Sequence, residues 1–557
     1  MRLLWLLGAV VVVYVLAESG ERSTTLGKTD VEIRWKADYK RQAVTIHVNM
    51  SNTELDWIGI GFSDHGEFNN SDVCVFKQGK LRDYYVDKDH YLQMDRSQDC
   101  ELLHSSRRSF SLRRKFLTCD PKDYAIEPGT VIFDIFGGYE FTHNWNSDRV
   151  EKRQRFGMVV DTPVNSPELE ADAKEMTILA DAAKIPSDTN TYWCVVKEMP
   201  RDLHRKKHHV VKMQAIVQPG NEHLVHHMEI FLCLSDDQLE YSGNCNTAPK
   251  SAGKCSHVIA AWAMGAGPVF YPQEAGFPLG GPQGRKFIKV EIHYNNEMQK
   301  SGIVDNSGFQ FLVTPSLRRY DAAIMELGHI YSDANSIPPG QKAFPLSAYC
   351  VADCTKHLPE GGIHIFASQL HAHLTGRKLH TSLYRKGVKI QEVNRDHHYS
   401  PHWQHIVQVR PYVNVQKGDV LSTTCVYDTT KRSGMTFGGY EIVNEMCVNY
   451  IYYFPASAIE VCKSAISNST LHSYFSDRYG LPEKMLISKK YESIKWNQEE
   501  ADNLHELYST SPLNIACLQS DGSLFPGMDW STIPQPRAIS GPYKKDRDQM
   551  ECPALND

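Results

Sequence analysis

The stretch Phe287-Ile288-Lys289-Val290-Glu291-Ile292-His293-Tyr294 alternates between apolar and polar side chains over its whole length. Successive side chains of a β-strand point to opposite faces, so the aliphatic residues face a core while Lys289, Glu291 and His293 face away from it. The pattern therefore predicts a half-buried strand that carries a histidine on its polar face.

Similar strand patterns recur at Val44–Val48, Trp57–Phe62 and Val131–Phe136, and glycine and proline interrupt the chain at short intervals. This punctuation is typical of antiparallel β-sandwiches. At about 150 residues per domain, 557 residues suffice for three or four domains. We predict a mainly β protein with two antiparallel sandwiches after an N-terminal one. The expected divisions are a signal peptide at 1–17, a first sandwich at 25–158, a linker at 159–184, a second sandwich at 185–345, a third at 346–510 and a C-terminal tail at 511–557. Within the linker we expect a short amphipathic helix between residues 168 and 184.

The composition excludes several classes of protein. The chain has 60 basic and 66 acidic residues, for a net charge of −6, and no basic stripe with interleaved aromatic residues. Nucleic acid is therefore not an expected partner. With 41% hydrophobic and 23% charged residues, the chain can bury cores and is neither disordered nor membrane-embedded throughout.

The N-terminus indicates the secretory pathway. Arg2 precedes an apolar run from Leu3 to Ala17, which ends in a small residue before Glu18. This is typical of a cleaved secretory signal. An uncleaved signal anchor is the alternative, but the run is shorter than the roughly 20 residues of a spanning helix. We expect a chain that is secreted or held in the lumen of secretory vesicles. The even count of 14 cysteines suits a disulfide framework there. N-x-S/T sequons predict glycosylation at Asn49, Asn69 and Asn468.

Three groups among the 25 histidines are candidate metal ligands: His226-His227, His293 and His371-Ala372-His373. Residues two apart on a strand share a face, so His371 and His373 could hold one ion. Adjacent histidines point to opposite faces of a regular strand. His226 and His227 could therefore bind one metal only if their strand is twisted or bulged, or if the rings use different nitrogens. An all-histidine site suits zinc, copper, iron or nickel, so spacing does not identify the metal.

Other histidines are expected to be structural: His208, His209, His397, His398, His402 and His405. Met446, in the stretch Glu445–Tyr450, is a different kind of candidate. A thioether is a soft ligand that favours Cu(I), yet sequence alone makes Met446 a core residue.

Together these stretches resemble the ascorbate-dependent copper type II monooxygenases, in the branch of the dopamine and tyramine β-hydroxylases. The resemblance covers almost the whole mature chain, including an N-terminal DOMON-type sandwich that ends near 116–124. The motifs that carry it are 191–194 (TYWC), 224–230 (LVHHMEI), 290–294 (VEIHY), 363–378 (IHIFASQLHAHLTGRK), 394–401 (NRDHHYSP) and 445–450 (EMCVNY).

The resemblance implies two coppers per chain, with ascorbate as reductant and O₂ as co-substrate. The electron-transfer copper would be held by His226, His227 and His293. The copper that meets oxygen and substrate would be held by His371, His373 and Met446. Tyr192 and His371 fall where catalytic residues of the family lie. Tyr450, four residues after Met446, is expected on the same strand face and is a third candidate catalytic residue. The residues that bind ascorbate are not identified.

The resemblance also implies seven disulfides: Cys74–Cys100, Cys119–Cys552, Cys194–Cys245, Cys233–Cys255, Cys350–Cys462, Cys354–Cys517 and Cys425–Cys447. The stretch 478–490 lacks the cysteine pair that links subunits of the vertebrate dopamine enzyme. This argues against covalent dimerisation and leaves a non-covalent homo-oligomer open. Cys74 and Cys100 are similar to the invertebrate tyramine-type enzymes and favour tyramine.

The expected function is hydroxylation of the benzylic carbon of an arylethylamine, converting tyramine to octopamine. The alternatives are dopamine to noradrenaline by the same chemistry, or a non-catalytic secreted copper-binding protein. A zinc hydrolase would leave Met446 unused and lacks an H-E-x-x-H motif. Gln369 stands where peptide-amidating relatives often have arginine, which argues against a peptide substrate. An ammonium requires a carboxylate or an aromatic cage. The sequence offers four carboxylates, each expected to be an ordinary solvated strand residue: Glu229, Glu291, Glu326 and Glu441.

Overall fold

The computed structural model describes residues 19–536 except 53, 161–166, 189, 223, 264–265, 283, 297–298 and 402. The expected signal peptide, His402 and Cys552 lie outside the described residues. The chain forms two compact units, one on either side of residues 161–166. Among the described residues, no helix is both long and apolar enough to cross a membrane.

The first unit is a sandwich of two antiparallel sheets. One sheet has the order β1-β2-β3-β9-β8 and the other has the order β11-β10-β4-β5-β6-β7. Its strands are β1 Ser19–Leu26, β2 Thr29–Asp38, β3 Ala43–Met50, β4 Trp57–Ser63, β5 Asp72–Lys77, β6 Lys80–Val86, β7 Leu92–Met94, β8 Glu101–Ser105, β9 Ser109–Lys115, β10 Gly129–Gly138 and β11 Glu151–Val160.

The apolar residues of both sheets share one core, to which Ile33 on β2 and Phe133 on β10 belong. Every residue of β4 is buried, because Ile58, Ile60 and Phe62 face the shared core and Trp57 belongs to a second apolar cluster on the other face of the sheet. Gly61 allows the close approach of β5, since a Cβ there would lie 2.6 Å from the carbonyl oxygen of Asp72.

The second unit contains two further sandwiches. The earlier sandwich consists of two sheets. One has the order β12-β23-β15-β20-β24, with β19 beside β15, and the other has the order β17-β14-β21-β16-β18. Strands β13 and β22 form a separate two-stranded sheet. Its strands are β12 Lys174–Leu179, β13 Ala183–Ile185, β14 Asn190–Glu198, β15 Lys207–Ile216, β16 Val225–Cys233, β17 Tyr241–Asn244, β18 Cys255–Ala263, β19 Val269–Phe270, β20 Ala275–Gly280, β21 Phe287–Asn295, β22 Ile303–Asp305, β23 Gly308–Thr314 and β24 Tyr320–Asp321. Helix α1 spans Arg201–Arg205, and 3₁₀ turns span Cys245–Thr247 and Lys250–Lys254.

The later sandwich pairs the sheet β30-β27-β32-β25-β33-β34 with the sheet β26-β31-β28-β29. Its strands are β25 Ala323–His329, β26 Phe344–Cys350, β27 Ile363–Ala372, β28 Gly376–Arg385, β29 Val388–Asp396, β30 Val407–Val415, β31 Val420–Tyr427, β32 Cys447–Phe454, β33 Ile459–Ile466 and β34 Leu513–Gln519. The helices are α2 Ala352–Thr355, α3 Asn468–Tyr479, α4 Ile487–Glu492 and α5 Gln498–Thr510, and a 3₁₀ turn spans Asp333–Asn335.

The predicted succession of β-sandwiches is confirmed, and two local features differ from expectation. The prediction of a helix between residues 168 and 184 is wrong, because β12 occupies the middle of that stretch. Met176 and Ile178 alternate with exposed residues and pair with Phe311 and Phe309 of β23, so the period of two prevails over the helix-forming composition. The region 468–510, expected to be rich in strands, is helical, and Phe475 and Leu504 bury its apolar faces in a core of their own.

Two observations show that the sandwiches of the second unit are in contact with each other. Strand β25 precedes the expected boundary at residue 345, yet it pairs with β32 and β33 of the later sandwich. Phe366, Tyr452 and Phe454 of the later sandwich belong to the core cluster of the earlier one. The β27-β32 wall of the later sandwich therefore packs directly against the earlier sandwich.

Disulfides connect elements within each unit. The described residues contain six of the seven implied pairs: Cys74–Cys100, Cys194–Cys245, Cys233–Cys255, Cys350–Cys462, Cys354–Cys517 and Cys425–Cys447. The expected partner of Cys119 lies outside the described residues.

Candidate metal centres

A bulge brings the adjacent histidines of β16 to one side of the sheet. In the pairing of β16 with β21, Val225 lies opposite Tyr294 and His227 lies opposite His293, so His226 is the extra residue. Such an extra residue bends the strand and redirects its side chains. This is the distortion that the His226-His227 pair requires for binding a single ion.

The imidazoles of His226, His227 and His293 converge. The Nδ1 atoms of His226 and His227 are 3.0 Å apart, and those of His293 and His227 are 3.4 Å apart. Each of the three residues offers a nitrogen within 4.8 Å of the others, and all three are half-buried. Converging imidazole nitrogens form a donor set suited to a first-row transition metal.

Tyr192 supports this cluster from the neighbouring strand. It lies opposite His293 in the β14-β21 pair, and the two rings stack with centroids 4.4 Å apart and an interplanar angle of 6°. His293 Nε2 lies 3.2 Å from Asn190 Oδ1. Burial, reinforced by Glu291 and Glu229, raises the pKa of Tyr192, which remains a neutral phenol. The stacked phenol ring lies parallel to the His293 ring, and the catalytic role expected for Tyr192 stays a prediction.

The second cluster lies where β27 ends. The rings of His371 and His373 have centroids 5.3 Å apart and are nearly perpendicular. His371 Nδ1 contacts Gln404 Oε1, and His373 Nδ1 lies 2.9 Å from the carbonyl oxygen of Asn444. Because both partners are acceptors, each ring places its proton on Nδ1 and leaves Nε2 free to bind a metal.

Burial keeps these two imidazoles neutral, as metal ligands must be. It lowers the pKa of His371 to about 4, with a further lowering from His373, and it also lowers the pKa of His373. The amide of Gln404 is oriented by its Nε2 group, which donates to the carbonyl oxygen of Pro401 at 2.7 Å. Gln404 thus presents its oxygen to His371.

Met446 is held beside the histidine pair by its neighbours. The Glu445 carboxylate accepts the backbone N–H groups of His373 and Thr375 at 2.9 and 2.6 Å, together with the Thr375 hydroxyl at 2.8 Å. On the other side, Cys447 is bonded to Cys425. Met446 itself is 8% exposed. The Glu445 carboxylate therefore ties the residue before Met446 to the turn that follows His373, and the disulfide ties the residue after Met446 to β31.

Sequence reasoning missed Gln404 and Glu445 as parts of this site. Gln404 is 33 residues from His371 and lies in an irregular segment, so no local pattern connects the two. In the sequence, Glu445 attracts attention only because it precedes Met446. Of the histidines expected to be structural, His209 is hydrogen-bonded to Asp321 at 2.8 Å, and His208 contacts the carbonyl oxygen of Lys206.

Tyr450 lies on the wall beside the second cluster. It is opposite Glu326 on one side and Gln369 on the other, and Gln369 is two residues before His371 on the same strand face. Glu326 is bound by Lys463 Nζ at 2.5 Å and by the Tyr331 hydroxyl at 3.2 Å. This wall therefore carries the carboxylate of Glu326, whose charge is compensated by Lys463, together with the phenols of Tyr331 and Tyr450.

The negative charge of Glu229, on β16 of the earlier sandwich, acts on the pKa of two tyrosines of β32. Burial is the main cause that raises the pKa of Tyr450 and of Tyr452, and the negative charge of Glu229 adds to it in both cases. Burial, together with the charge of Glu291, also raises the pKa of Glu229 to about 7.

The three sequons differ in accessibility. Asn49 on β3 and Asn468 at the start of α3 are exposed, whereas Asn69 is half-buried. Exposed side chains can accept a glycan without rearrangement of the chain.

Comparison with known proteins agrees with this arrangement. The family model described as copper type II ascorbate-dependent monooxygenase, N-terminal domain, matches residues 176–301, and its C-terminal counterpart matches residues 320–475. A DOMON domain model matches residues 27–136. The three-histidine cluster falls within the first copper match and the His371–His373–Met446 cluster within the second. The chain belongs to the copper type II ascorbate-dependent monooxygenases, as the sequence motifs predicted.

Within this family the chain is similar to the β-hydroxylases. It is 47% identical over 565 residues to the tyramine beta-hydroxylase of Caenorhabditis briggsae, covering 97% of this chain and 96% of the relative. It is 38% identical over 533 residues to the dopamine beta-hydroxylase of Homo sapiens, covering 92% and 86%. The Bos taurus dopamine beta-hydroxylase is also 38% identical, over 549 residues. The chain is thus an ascorbate-dependent copper monooxygenase of the tyramine and dopamine β-hydroxylase type.

Proposed function

We propose that this chain hydroxylates the benzylic carbon of an arylethylamine, with tyramine as substrate and octopamine as product. The reaction uses O₂, takes its electrons from ascorbate and requires two coppers per chain. The observation that carries the proposal is the presence of both donor sets, in the expected order, in a chain 47% identical to a tyramine beta-hydroxylase over nearly its full length. Dopamine is the second candidate substrate, favoured by the 38% identity to the human dopamine enzyme.

The residues present fit copper at both positions. His226, His227 and His293 would hold one ion with nitrogen ligands alone, which serve either oxidation state. His371, His373 and Met446 would hold the other, where the thioether favours Cu(I). When bound, copper supplies the one-electron redox chemistry through which ascorbate and O₂ are used for hydroxylation. Donor sets of this kind argue against a non-catalytic relative that has lost its ligands.

Neighbouring residues of the chain orient the proposed copper ligands and limit their exposure to water. Gln404 and Asn444 hold the Nδ1 protons of His371 and His373, so both rings present Nε2 in a fixed orientation. Glu445 restrains the residue before Met446 relative to His373, and the Cys425–Cys447 disulfide anchors the residue after Met446 to β31. His373 is 5% exposed and Met446 is 8% exposed, so these two proposed ligands are themselves shielded from water. Restraint of this kind is worth about 10- to 100-fold in metal affinity or activity.

The test compares ascorbate-dependent turnover of tyramine, dopamine and a glycine-extended peptide by the same purified protein. We expect hydroxylation of tyramine with the largest kcat/KM, a lower value for dopamine and no peptide product. Metal analysis should give two coppers per chain. Turnover of the peptide alone, or one tightly held zinc per chain, would contradict the proposal.

The cellular setting is part of the same proposal. The signal sequence at 1–17 would direct the chain to the secretory pathway, with glycans at Asn49, Asn69 and Asn468. Sequencing of the secreted protein should place its N-terminus after Ala17, and glycosidase treatment should reduce its mass.

A further inference from the structure

The motif at 394–401 (NRDHHYSP) contains no proposed copper ligand, and the proposed function gives its residues no role. Its tyrosine, Tyr399, lies in the irregular segment between β29 and β30 and is only 1% exposed. A buried phenol hydroxyl normally has a hydrogen-bond partner, because leaving it unpaired away from water costs free energy. The partner of Tyr399 therefore indicates what this residue does.

The hydroxyl of Tyr399 bonds the residue that separates the two histidines of the second cluster. Tyr399 Oη donates to the carbonyl oxygen of Ala372 at 2.5 Å and accepts the backbone N–H of Ala372 at 2.8 Å. Ala372 stands between His371 and His373 in the H-x-H segment. A single oxygen atom thus satisfies both backbone polar groups of the central residue of that segment.

Strand pairing does not supply these hydrogen bonds. Strand β27 pairs with β32 as far as Ala372, but it pairs with β30 only from Ile363 to Ser368. In an antiparallel sheet the backbone groups of each residue point to one of the two neighbouring strands. Those of Ala372 bond Tyr399 and therefore face the edge that β30 has left. The Tyr399 hydroxyl takes the place of a neighbouring strand at this one residue.

Packing holds the Tyr399 ring in place. The ring belongs to the same apolar cluster as Ala372 and Tyr427. A Cβ at Gly376 would lie 3.4 Å from the Tyr399 ring and 2.7 Å from the Cβ of Ala372, so glycine leaves the ring its space. Burial raises the pKa of Tyr399 well above its ordinary value, and the neutral phenol can donate and accept at the same time. Tyr427 bonds the third proposed ligand in a similar way, since its hydroxyl donates to the carbonyl oxygen of Met446 at 3.0 Å.

We propose that Tyr399 is a positioning residue for the copper site of the second cluster, because its hydroxyl fixes the backbone from which His371 and His373 project. This assignment rests on the proposed function. Gln404 and Asn444 orient the two imidazole rings through their Nδ1 atoms. Tyr399 restrains the backbone between the rings and thereby the separation of the two Nε2 atoms.

The test uses Tyr399→Phe in the copper-loaded, reduced enzyme, with Tyr453→Phe as the matched control. Tyr453 on β32 is also fully buried, and its hydroxyl donates to the carbonyl oxygen of Ile459 at 3.3 Å and contacts Ser457 Oγ at 2.9 Å. Each substitution removes one buried hydroxyl and keeps the ring, but only Tyr399 bonds the H-x-H segment.

Three measurements do not depend on turnover. Competition with a colorimetric Cu(I) chelator gives the dissociation constants of the two coppers. X-ray absorption identifies the second cluster by its copper–sulfur contribution, because only that donor set contains a sulfur atom. Hydrogen exchange reports directly on the backbone N–H of Ala372, whose partner the variant removes.

We expect Tyr399→Phe to weaken Cu(I) binding at the second cluster about 10- to 100-fold, the usual effect of a residue that supports metal ligands. The copper–sulfur contribution should fall, and the amide of Ala372 should exchange faster. The kcat for tyramine should fall by a similar factor while KM stays within about twofold. Copper at the three-histidine cluster should keep its wild-type affinity, which also shows that the variant is folded.

Tyr453→Phe should lower the melting temperature to a similar extent and leave both copper affinities unchanged. Wild-type Cu(I) affinity at the second cluster in Tyr399→Phe would overturn the assignment, and so would an equal loss in Tyr453→Phe or an equal loss at both clusters. Because these readouts do not require turnover, a wild-type enzyme that failed to hydroxylate tyramine would contradict the proposed function separately.

Discussion

The two metal clusters are built on different supports. The three-histidine cluster lies within paired strands rather than at their ends, and its rings are half-buried. The Nδ1 atoms of its histidines contact one another. The His371–His373–Met446 cluster lies at strand ends, and a hydrogen-bond acceptor holds the Nδ1 of each histidine. A buried carboxylate and a disulfide restrain its methionine.

This difference agrees with the two tasks that the proposed function assigns to the clusters, electron transfer and hydroxylation. A site that only exchanges electrons can remain accessible to a reductant and tolerate looser surroundings. A site where oxygen and substrate meet needs a dry, fixed geometry, because small displacements of reacting atoms cost large factors in rate. We therefore expect substitutions around the second cluster to affect chemistry, and substitutions around the first to affect electron supply.

The largest effect is expected from Met446→Ile. The branched side chain fills similar volume but removes the thioether, so turnover should fall more than 100-fold, beyond the usual effect of residues that only support a ligand. Copper at the three-histidine cluster should remain, leaving about one copper per chain. The control is Met528→Ile, since Met528 is 36% exposed and distant in sequence from both clusters. Full turnover by Met446→Ile would refute the ligand assignment.

His226→Ala should lower turnover almost as much as Met446→Ile, but by interrupting electron supply rather than by removing a ligand of the second cluster. Removal of one imidazole should slow multiple turnover about 100-fold, because the second electron is no longer delivered. The affinity of the oxidised enzyme for tyramine should stay within about twofold of wild type. Equilibrium dialysis and rapid-quench kinetics separate the two quantities. If substrate affinity and turnover fell together, the division of labour between the clusters would be wrong.

Glu445→Ala is expected to cost about 10- to 100-fold in activity. The loss would free the backbone N–H groups of His373 and Thr375 and loosen the turn beside Met446. X-ray absorption should show a weakened copper–sulfur contribution, while the three-histidine copper keeps its spectrum. The conservative Glu445→Gln should recover part of the activity, since its amide oxygen can still accept one of these bonds. Equal effects on both copper spectra would contradict this local role.

The smallest effect is expected from Tyr192→Leu. Loss of the ring stacked on His293 removes an aromatic contact of about 0.5–1.5 kcal/mol, which corresponds to a change of roughly 2- to 10-fold in electron transfer. Tyr192→Phe keeps the stack and should behave like wild type, as measured by the rate of copper reduction by ascorbate. A large loss in Tyr192→Phe would instead assign a role to the hydroxyl.

Much of this arrangement is predictable from local sequence. The alternation in 287–294 predicts the buried and polar faces of β21, and the structure buries Ile288, Val290 and Ile292 while leaving His293 half-exposed. The H-x-H spacing likewise places His371 and His373 on one face. In the linker, by contrast, the acidic and alanine-rich composition suggested a helix, and pairing with β23 made Lys174–Leu179 a strand.

The sequence by itself determined which side chains share a strand face, because a period of two is a property of each strand alone. Its motifs also determined the order of the candidate ligands and the family to which the chain belongs. The bulge at His226 and the contact of Gln404 with His371 were decided only by the tertiary structure. Each depends on register with a partner strand or on a segment tens of residues away. Such contacts result from the packing of sheets against one another, which no local pattern encodes.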